Sequence, residues 1–104
     1  MKIKPGVSIR GIRPELVHAA VTAYVIYQQL PGKPELVITC CTDGEHGRKS
    51  LHYVGQAIDI RSRDMGIQVA LDAVTKLREA LGHEFDAVTE TDHIHIEYQP
   101  KQPA

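Results

Sequence analysis

The chain contains little cysteine, and its two cysteines are not placed to form a disulfide. Cys40 and Cys41 are neighbours in the sequence. A disulfide between them would strain the backbone, and on a strand their side chains would point to opposite faces. A disulfide-stapled fold is therefore excluded. We interpret the pair as a small buried side chain beside a half-exposed thiol.

The sequence also lacks an excess of charge of one sign and any long hydrophobic run. Twelve Lys and Arg residues stand against 13 Asp and Glu residues, for a formal net charge of −1. Binding to nucleic acid by phosphate neutralisation needs a clustered basic surface, so these scattered basic residues argue against a nucleic-acid partner. No run approaches the ~20 apolar residues of a membrane span, so no membrane association is expected.

The first residues lack the apolar run of about 7 or more residues that a secretory signal requires. We therefore expect cytoplasmic synthesis of a soluble chain, which acts on a substrate outside the membrane only if something else releases it. With 104 residues, of which 42% are hydrophobic, the chain fits one domain over residues 1–104. We expect that domain to be a monomer.

Two amphipathic patterns predict helices. The first begins at Pro14, whose fixed φ suits a first helical turn, and ends near residue 29. The second is capped by Ser62 or Asp64 and ended by Gly82. The apolar residues expected to line these helices are Leu16, Val17, Ala20, Val21, Tyr24 and Val25 in the first and Ile67, Ala70, Leu71, Val74, Leu77 and Leu81 in the second.

Four short segments, residues 36–41, 56–61, 84–91 and 94–98, have the composition or alternation of β-strands. The last two are predicted to form a hairpin with its turn around Thr91 and Asp92. Residues 42–49 are polar and aperiodic, which indicates a loop. Strands in runs beside two helices predict an α+β domain, with a small, largely antiparallel sheet and two main helices packed on it.

Histidine and aspartate are concentrated in two of these segments. On the strand over residues 56–61, Asp59 lies on the face opposite the isoleucines, and His93 and His95 share the corresponding face of the last strand. If the two strands are neighbours, Asp59 and His95 converge on one point. His52 precedes the first of these strands, and Gly55 permits the close turn that brings its ring back.

Two imidazoles and one carboxylate leave the fourth corner of a zinc tetrahedron free for water, which is the arrangement of a catalytic Zn²⁺ site. The sequence therefore predicts metal-assisted hydrolysis. Asp92 is a candidate for the group that accepts the proton of the water, and Glu90 is the competing carboxylate. His46 and Arg48 are candidates for stabilising the oxyanion.

His93 and Glu97, two further residues of the last strand, are not assigned as metal ligands. His93 shares the face of His95, so His93 could be the metal ligand in place of His95. We prefer to interpret it as a partner that supports a ligand or as a substrate contact. Glu97 is interpreted as structural.

The segment Ser50-Leu51-His52-Tyr53-Val54-Gly55-Gln56-Ala57-Ile58-Asp59 resembles the SxHxxGxAxD signature of the zinc D-Ala-D-Ala carboxypeptidase and L-alanyl-D-glutamate endopeptidase family. That family includes bacterial dipeptidases and phage endolysins. It shares its fold with hedgehog signalling domains, whose SLHYEGRAVDI and HIH segments are similar to this chain as well. The similarity covers about half of the chain, between residues 42 and 98.

The resemblance implies zinc ligands at His52, Asp59 and His95 and a hedgehog/D-Ala-D-Ala-peptidase-like fold. The catalytic acid of the peptidases corresponds to Asp92, which we favour, and that of hedgehog domains corresponds to Glu90. The hedgehog histidine six residues before the first ligand corresponds to His46. Two common features of the peptidases are absent, namely an arginine around residues 39–42 and a tryptophan near the last ligand.

The function implied is hydrolysis of a peptide bond in peptidoglycan stem peptides, by a carboxypeptidase or an endopeptidase, as in a phage lysis enzyme. The alternative is a catalytically inactive, zinc-stabilised binding module of the hedgehog type. Asp92 and Glu90 together weigh against an inactive site. The sequence leaves open which peptide bond would be cleaved.

Overall fold

The structure, a computed structural model, describes residues 1–42 and 55–100. Over these residues it contains a five-stranded mixed sheet and two helices, so the predicted α+β class is confirmed. In chain order the elements are β1 (Lys2–Ile3), α1 (Pro14–Gln29), β2 (Val37–Cys40), β3 (Ala57–Arg61), α2 (Ile67–Leu81), β4 (Phe85–Thr89) and β5 (His93–Tyr98).

The strands are ordered β1-β2-β3-β5-β4 across the sheet. The pairing of β1 with β2 is parallel, and the other three pairings are antiparallel, as expected for a largely antiparallel sheet. Strand β1 was not predicted, because two residues are too few to show alternation. It joins the edge through hydrogen bonds from the Lys2 and Lys4 N–H groups to the Leu36 and Ile38 carbonyls, each 2.9 Å long.

Both helices pack on one face of the sheet. Helix α2 contacts β4, and α1 contacts α2 and β5. The side chains of β3 and β5 alternate, so their isoleucines face the helices while Asp59 and His95 project from the other face. The largest fully buried side chains of this core are Leu16, Tyr27, Leu36, Cys41, Ile58, Ile60, Leu77, Ile94 and Ile96.

The buried faces of the helices differ in part from the predicted ones. Val17, Val21 and Val25 of α1 are about half exposed, and the helix instead buries a face rich in alanine. Ile67 begins α2 and is 82% exposed, and Leu71 is exposed as well. Helix α1 has apolar side chains around most of its circumference, so their spacing alone does not identify the side that meets the sheet.

The prediction that Ser62 or Asp64 caps α2 is wrong. The N-cap is Gly66, without a side-chain cap. Ser62 is buried in a turn, where its carbonyl accepts a hydrogen bond from the Met65 N–H at 3.1 Å. The Asp64 carboxylate instead lies 3.8 Å from Arg61. At the other end, Gly82 terminates α2 with a φ of 84°, as predicted.

The hairpin between β4 and β5 has the predicted turn. The Glu90 N–H donates a hydrogen bond of 2.8 Å to the His93 carbonyl, which leaves Thr91 and Asp92 as the two turn residues. The Ser62 N–H donates to the Asp92 carbonyl at 2.9 Å. This bond fixes the turn to the end of β3, so the position of Asp92 is tied to the centre of the sheet.

Gly55 connects the segment before α1 to the start of β3. Its carbonyl accepts a hydrogen bond from the Arg13 N–H at 3.0 Å. Its φ is +73°, in the left-handed region, and an added Cβ would lie 2.1 Å from the Gly11 carbonyl oxygen. Only glycine fits this close contact between two backbone segments.

Two further predictions concern the cysteines and membranes. Cys41 is buried and Cys40 is partly exposed, as expected for this pair. No helix within the described residues has both the length and the apolar character needed to cross a membrane.

Candidate metal centre

Asp59 and His95 lie side by side in the middle of the sheet. They are direct partners in the antiparallel register of β3 and β5, and Asp59 Oδ1 lies 2.8 Å from His95 Nδ1. Their side chains are 14% and 21% exposed. The structure thus brings together two of the three residues for which the sequence predicts a metal-binding role. The antiparallel pairing of their strands places them there.

Glu97 holds the other side of the His95 ring. It lies two residues further along β5, on the same face, and its Oε1 is 2.8 Å from His95 Nε2. Gln99 in turn donates a hydrogen bond to the second carboxylate oxygen of Glu97. The sequence interpretation of Glu97 as structural missed this contact. In the sequence, this contact is indicated by the two-residue spacing between Glu97 and His95, which places both side chains on one face of the strand.

His93 links Asp92 to the same cluster. Its Nδ1 is 2.8 Å from Asp92 Oδ1, and its Nε2 is 3.8 Å from Asp59 Oδ2. The Asp92 side chain is 67% exposed at the hairpin turn. His93 therefore contacts the candidate proton acceptor directly and lies close to the second carboxylate oxygen of Asp59.

The carboxylates change the protonation of the cluster. Hydrogen bonding to Asp59 raises the pKa of His95 against the opposing effect of burial, and Glu97 adds to the increase. Hydrogen bonding to His93 lowers the pKa of Asp92. The raised pKa favours a proton on His95 at its contact with Asp59. A metal ion that binds there displaces this proton, so its affinity decreases as the pH falls.

The chemistry and spacing of this pair suit zinc. Tetrahedral zinc, with bonds of ~2.0–2.2 Å to nitrogen and oxygen, places two ligand atoms ~3.3 Å apart. The 2.8 Å between Asp59 Oδ1 and His95 Nδ1 needs only a small opening to reach that value. Glu97 contacts Nε2, so Nδ1 is the ring nitrogen that a metal ion bound beside Asp59 would contact.

Apart from Asp92, which joins this cluster through His93, the other predicted site residues lie elsewhere or outside the described residues. In residues 1–42 and 55–100, no group of three or more His, Cys, Asp or Glu side chains is placed to hold a metal ion. The third predicted ligand, His52, falls in residues 43–54, which the structure does not describe. His46 and Arg48 fall in the same range.

The two candidate proton acceptors occupy different clefts. Glu90 lines a cleft with Ile67 and Leu71 of α2. Asp92 lines a cleft with Thr39 and Arg61 and is hydrogen-bonded to His93. The contact to His93 connects Asp92, rather than Glu90, with Asp59.

A comparison with protein-family models gives no match to this chain, and a comparison with curated proteins gives none either. The functional argument therefore depends on the residues and their geometry. These define an α+β protein with an Asp–His–Glu cluster on the face of the sheet opposite the helices.

Proposed function

We propose that this protein is a zinc-dependent peptidase that cleaves a peptide bond in peptidoglycan stem peptides. The observation that carries the proposal is the contact between Asp59 and His95, with Glu97 on the second ring nitrogen of the histidine. A carboxylate, an imidazole and an outer carboxylate on that imidazole are the usual parts of a protein zinc site. The substrate class is supported by the resemblance of residues 50–59 to the peptidase signature.

In this proposal His52, Asp59 and His95 hold the zinc ion. Bound zinc supplies a Lewis acid that polarises the scissile carbonyl and lowers the pKa of a coordinated water toward ~7. Asp59 provides the only negative charge among the three ligands, and Glu97 keeps the His95 ring in one orientation. Both helices lie on the opposite face of the sheet, so they do not block a peptide that approaches this cluster.

Asp92 accepts the proton of the attacking water and delivers it to the leaving amine. The hydrogen bond of 2.8 Å to His93 orients the Asp92 carboxylate, and by lowering the pKa of Asp92 it keeps that carboxylate ionised. The position of Asp92 is fixed by the bond from the Ser62 N–H to its carbonyl. His46 is proposed to stabilise the negative charge that develops on the carbonyl oxygen.

Replacement of Asp92 by alanine is expected to lower kcat on peptidoglycan fragments by about 10²–10⁴-fold, the usual contribution of a general base. Glu90→Ala is the matched control, because it removes a carboxylate from the same turn but from the other cleft. Both variants should retain the zinc content of the wild type. Released fragments are measured by mass spectrometry, and zinc is measured by elemental analysis.

The reverse pattern, with Glu90→Ala inactive and Asp92→Ala active, would assign the proton transfer to Glu90. A wild-type protein that binds zinc but releases no fragments would favour the zinc-stabilised binding module instead. A wild-type protein without zinc would contradict both functions.

Glu97→Ala is expected to weaken zinc binding by about 10–100-fold, the usual effect of losing an outer partner of a metal-binding histidine. Glu97→Gln should recover part of the loss, because its amide oxygen still accepts the Nε2–H bond of His95. Glu79→Ala, on the exposed side of α2, is the control. Competition with a chelator of known affinity measures the change, and equal affinities in all four proteins would contradict the assigned role of Glu97.

A further inference from the structure

Tyr27 brings a hydroxyl group into the core and directs it to the end of β3. The residue lies on the buried side of α1 and is only 1% exposed, and its Oη donates a hydrogen bond of 2.9 Å to the Arg61 carbonyl. Burial raises the pKa of Tyr27, so the phenol stays protonated and remains a donor. Phenylalanine would fill the same space without a buried polar group that has to be satisfied. The tyrosine therefore draws attention to what its hydrogen bond does.

The peptide unit that Tyr27 contacts also holds the hairpin turn. The carbonyl of Arg61 and the N–H of Ser62 belong to one planar peptide unit. Its carbonyl accepts from Tyr27 Oη, and its N–H donates to the Asp92 carbonyl at 2.9 Å. A peptide carbonyl that accepts a hydrogen bond makes the N–H of the same unit a stronger donor, so the two bonds reinforce each other. A continuous hydrogen-bonded connection thus runs from α1 to Asp92.

This connection holds the backbone of Asp92, whereas His93 holds its side chain. The carboxylate at this turn is mostly exposed, so packing restricts it little, and its Oδ1 lies 2.8 Å from His93 Nδ1. Loss of the backbone attachment would let the turn shift relative to Asp59. A misplacement of about 1 Å at a reacting group can lower a rate by about a hundredfold, so the position of the turn affects proton transfer.

We propose that Tyr27 is a positioning residue for proton transfer by Asp92, and that it acts through the peptide unit between Arg61 and Ser62. The inference rests on the proposed peptidase function and deepens it by adding a residue from the core to the proposed site. Tyr27 packs among the helices, on the face of the sheet opposite Asp59, so it is not placed to contact a substrate there.

Tyr27→Phe removes only the hydroxyl group. We expect kcat of the zinc-loaded protein on peptidoglycan fragments to fall about tenfold, with KM changed by less than about twofold, because no substrate contact is lost. In the Asp92→Ala background the same substitution should cause no further decrease, since the group that it positions is already absent. An equal decrease in both backgrounds would contradict action through Asp92.

Amide hydrogen exchange tests the connection without an activity assay. Tyr27→Phe should speed exchange of the Ser62 amide by about fivefold relative to amides at the centre of β3, as for the net contribution of one hydrogen bond. Unchanged relative exchange at Ser62 would overturn the proposal, whatever the activity. Faster exchange at Ser62 in a wild-type background that cleaves no peptidoglycan would support the connection but contradict the peptidase function, and with it the role in proton transfer.

Two further variants serve as controls. Tyr24→Phe removes a hydroxyl group from the same helix, where it accepts a hydrogen bond of 2.8 Å from the Gln28 side chain in an exposed contact. It should keep the wild-type kcat and the wild-type exchange at Ser62. Val74→Ala destabilises the core from α2 and should speed exchange of Ser62 and of the β3 amides by the same factor. A loss of kcat in Val74→Ala as large as that in Tyr27→Phe would attribute the effect to stability and overturn the positioning role.

Discussion

Asp59→Asn is expected to lower the zinc affinity of this protein by at least about a hundredfold. The substitution keeps the size of the side chain but removes the negative charge that faces His95 Nδ1 at 2.8 Å. Loss of an outer partner alone weakens metal binding by about 10–100-fold, so loss of a direct ligand should cost at least the upper end of that range. Chelator competition with purified protein measures the affinity.

The control for this experiment is Asp72→Asn on α2, which removes an equal charge from an exposed helix position. It should bind zinc as the wild type does. If Asp59→Asn and Asp72→Asn bind zinc equally well, Asp59 is not a ligand, and the proposed centre is wrong. Circular dichroism of both variants establishes whether the fold is retained.

Gly55→Ala is expected to destabilise the protein by about 2–5 kcal/mol. Part of this destabilisation is the cost of a left-handed φ for a residue with a Cβ, since φ at Gly55 is +73°. The rest is steric, because the new Cβ would lie 2.1 Å from the Gly11 carbonyl oxygen, and the backbone has to move. Urea denaturation gives the change in the free energy of unfolding.

Gly11→Ala separates these two costs. Its φ is +76°, similar to that of Gly55, but an added Cβ there meets no atom within 4 Å. It should therefore show only the conformational cost, about 1–2 kcal/mol. Equal destabilisation by the two variants would mean that the contact between Gly55 and Gly11 is not tight in solution.

The face of the sheet that carries the candidate site was predictable from local alternation. Asp59 stands between two isoleucines, and His95 stands between two more, so one face of each strand is apolar and the other polar. The hairpin turn at Asp92 was predictable from two β segments separated by a short polar break. Alternation does not establish that β3 and β5 are neighbours, and this pairing is what brings Asp59 to His95.

Other features depend on contacts between distant parts of the chain. Helix α1 buries its alanine-rich side, because small side chains allow close packing, whereas the spacing of its valines suggested another side. Gly66 is the N-cap of α2, because Ser62 and Asp64 lie in the preceding turn and have other partners there. The spacing of Glu97 from His95 places both on one face of β5, but their contact also depends on the orientation of the His95 ring.

The division of the sheet into an apolar and a polar face also determines which positions accept amino-acid substitutions. The isoleucines of β3 and β5 and the two helices form the core on one face, while the polar side chains of the same strands lie on the other. Substitutions at the polar positions therefore remove few buried apolar contacts. We expect substitutions on this face to cost little folding stability, even where they alter the proposed site, whereas the helix-covered face should accept little beyond residues of similar volume.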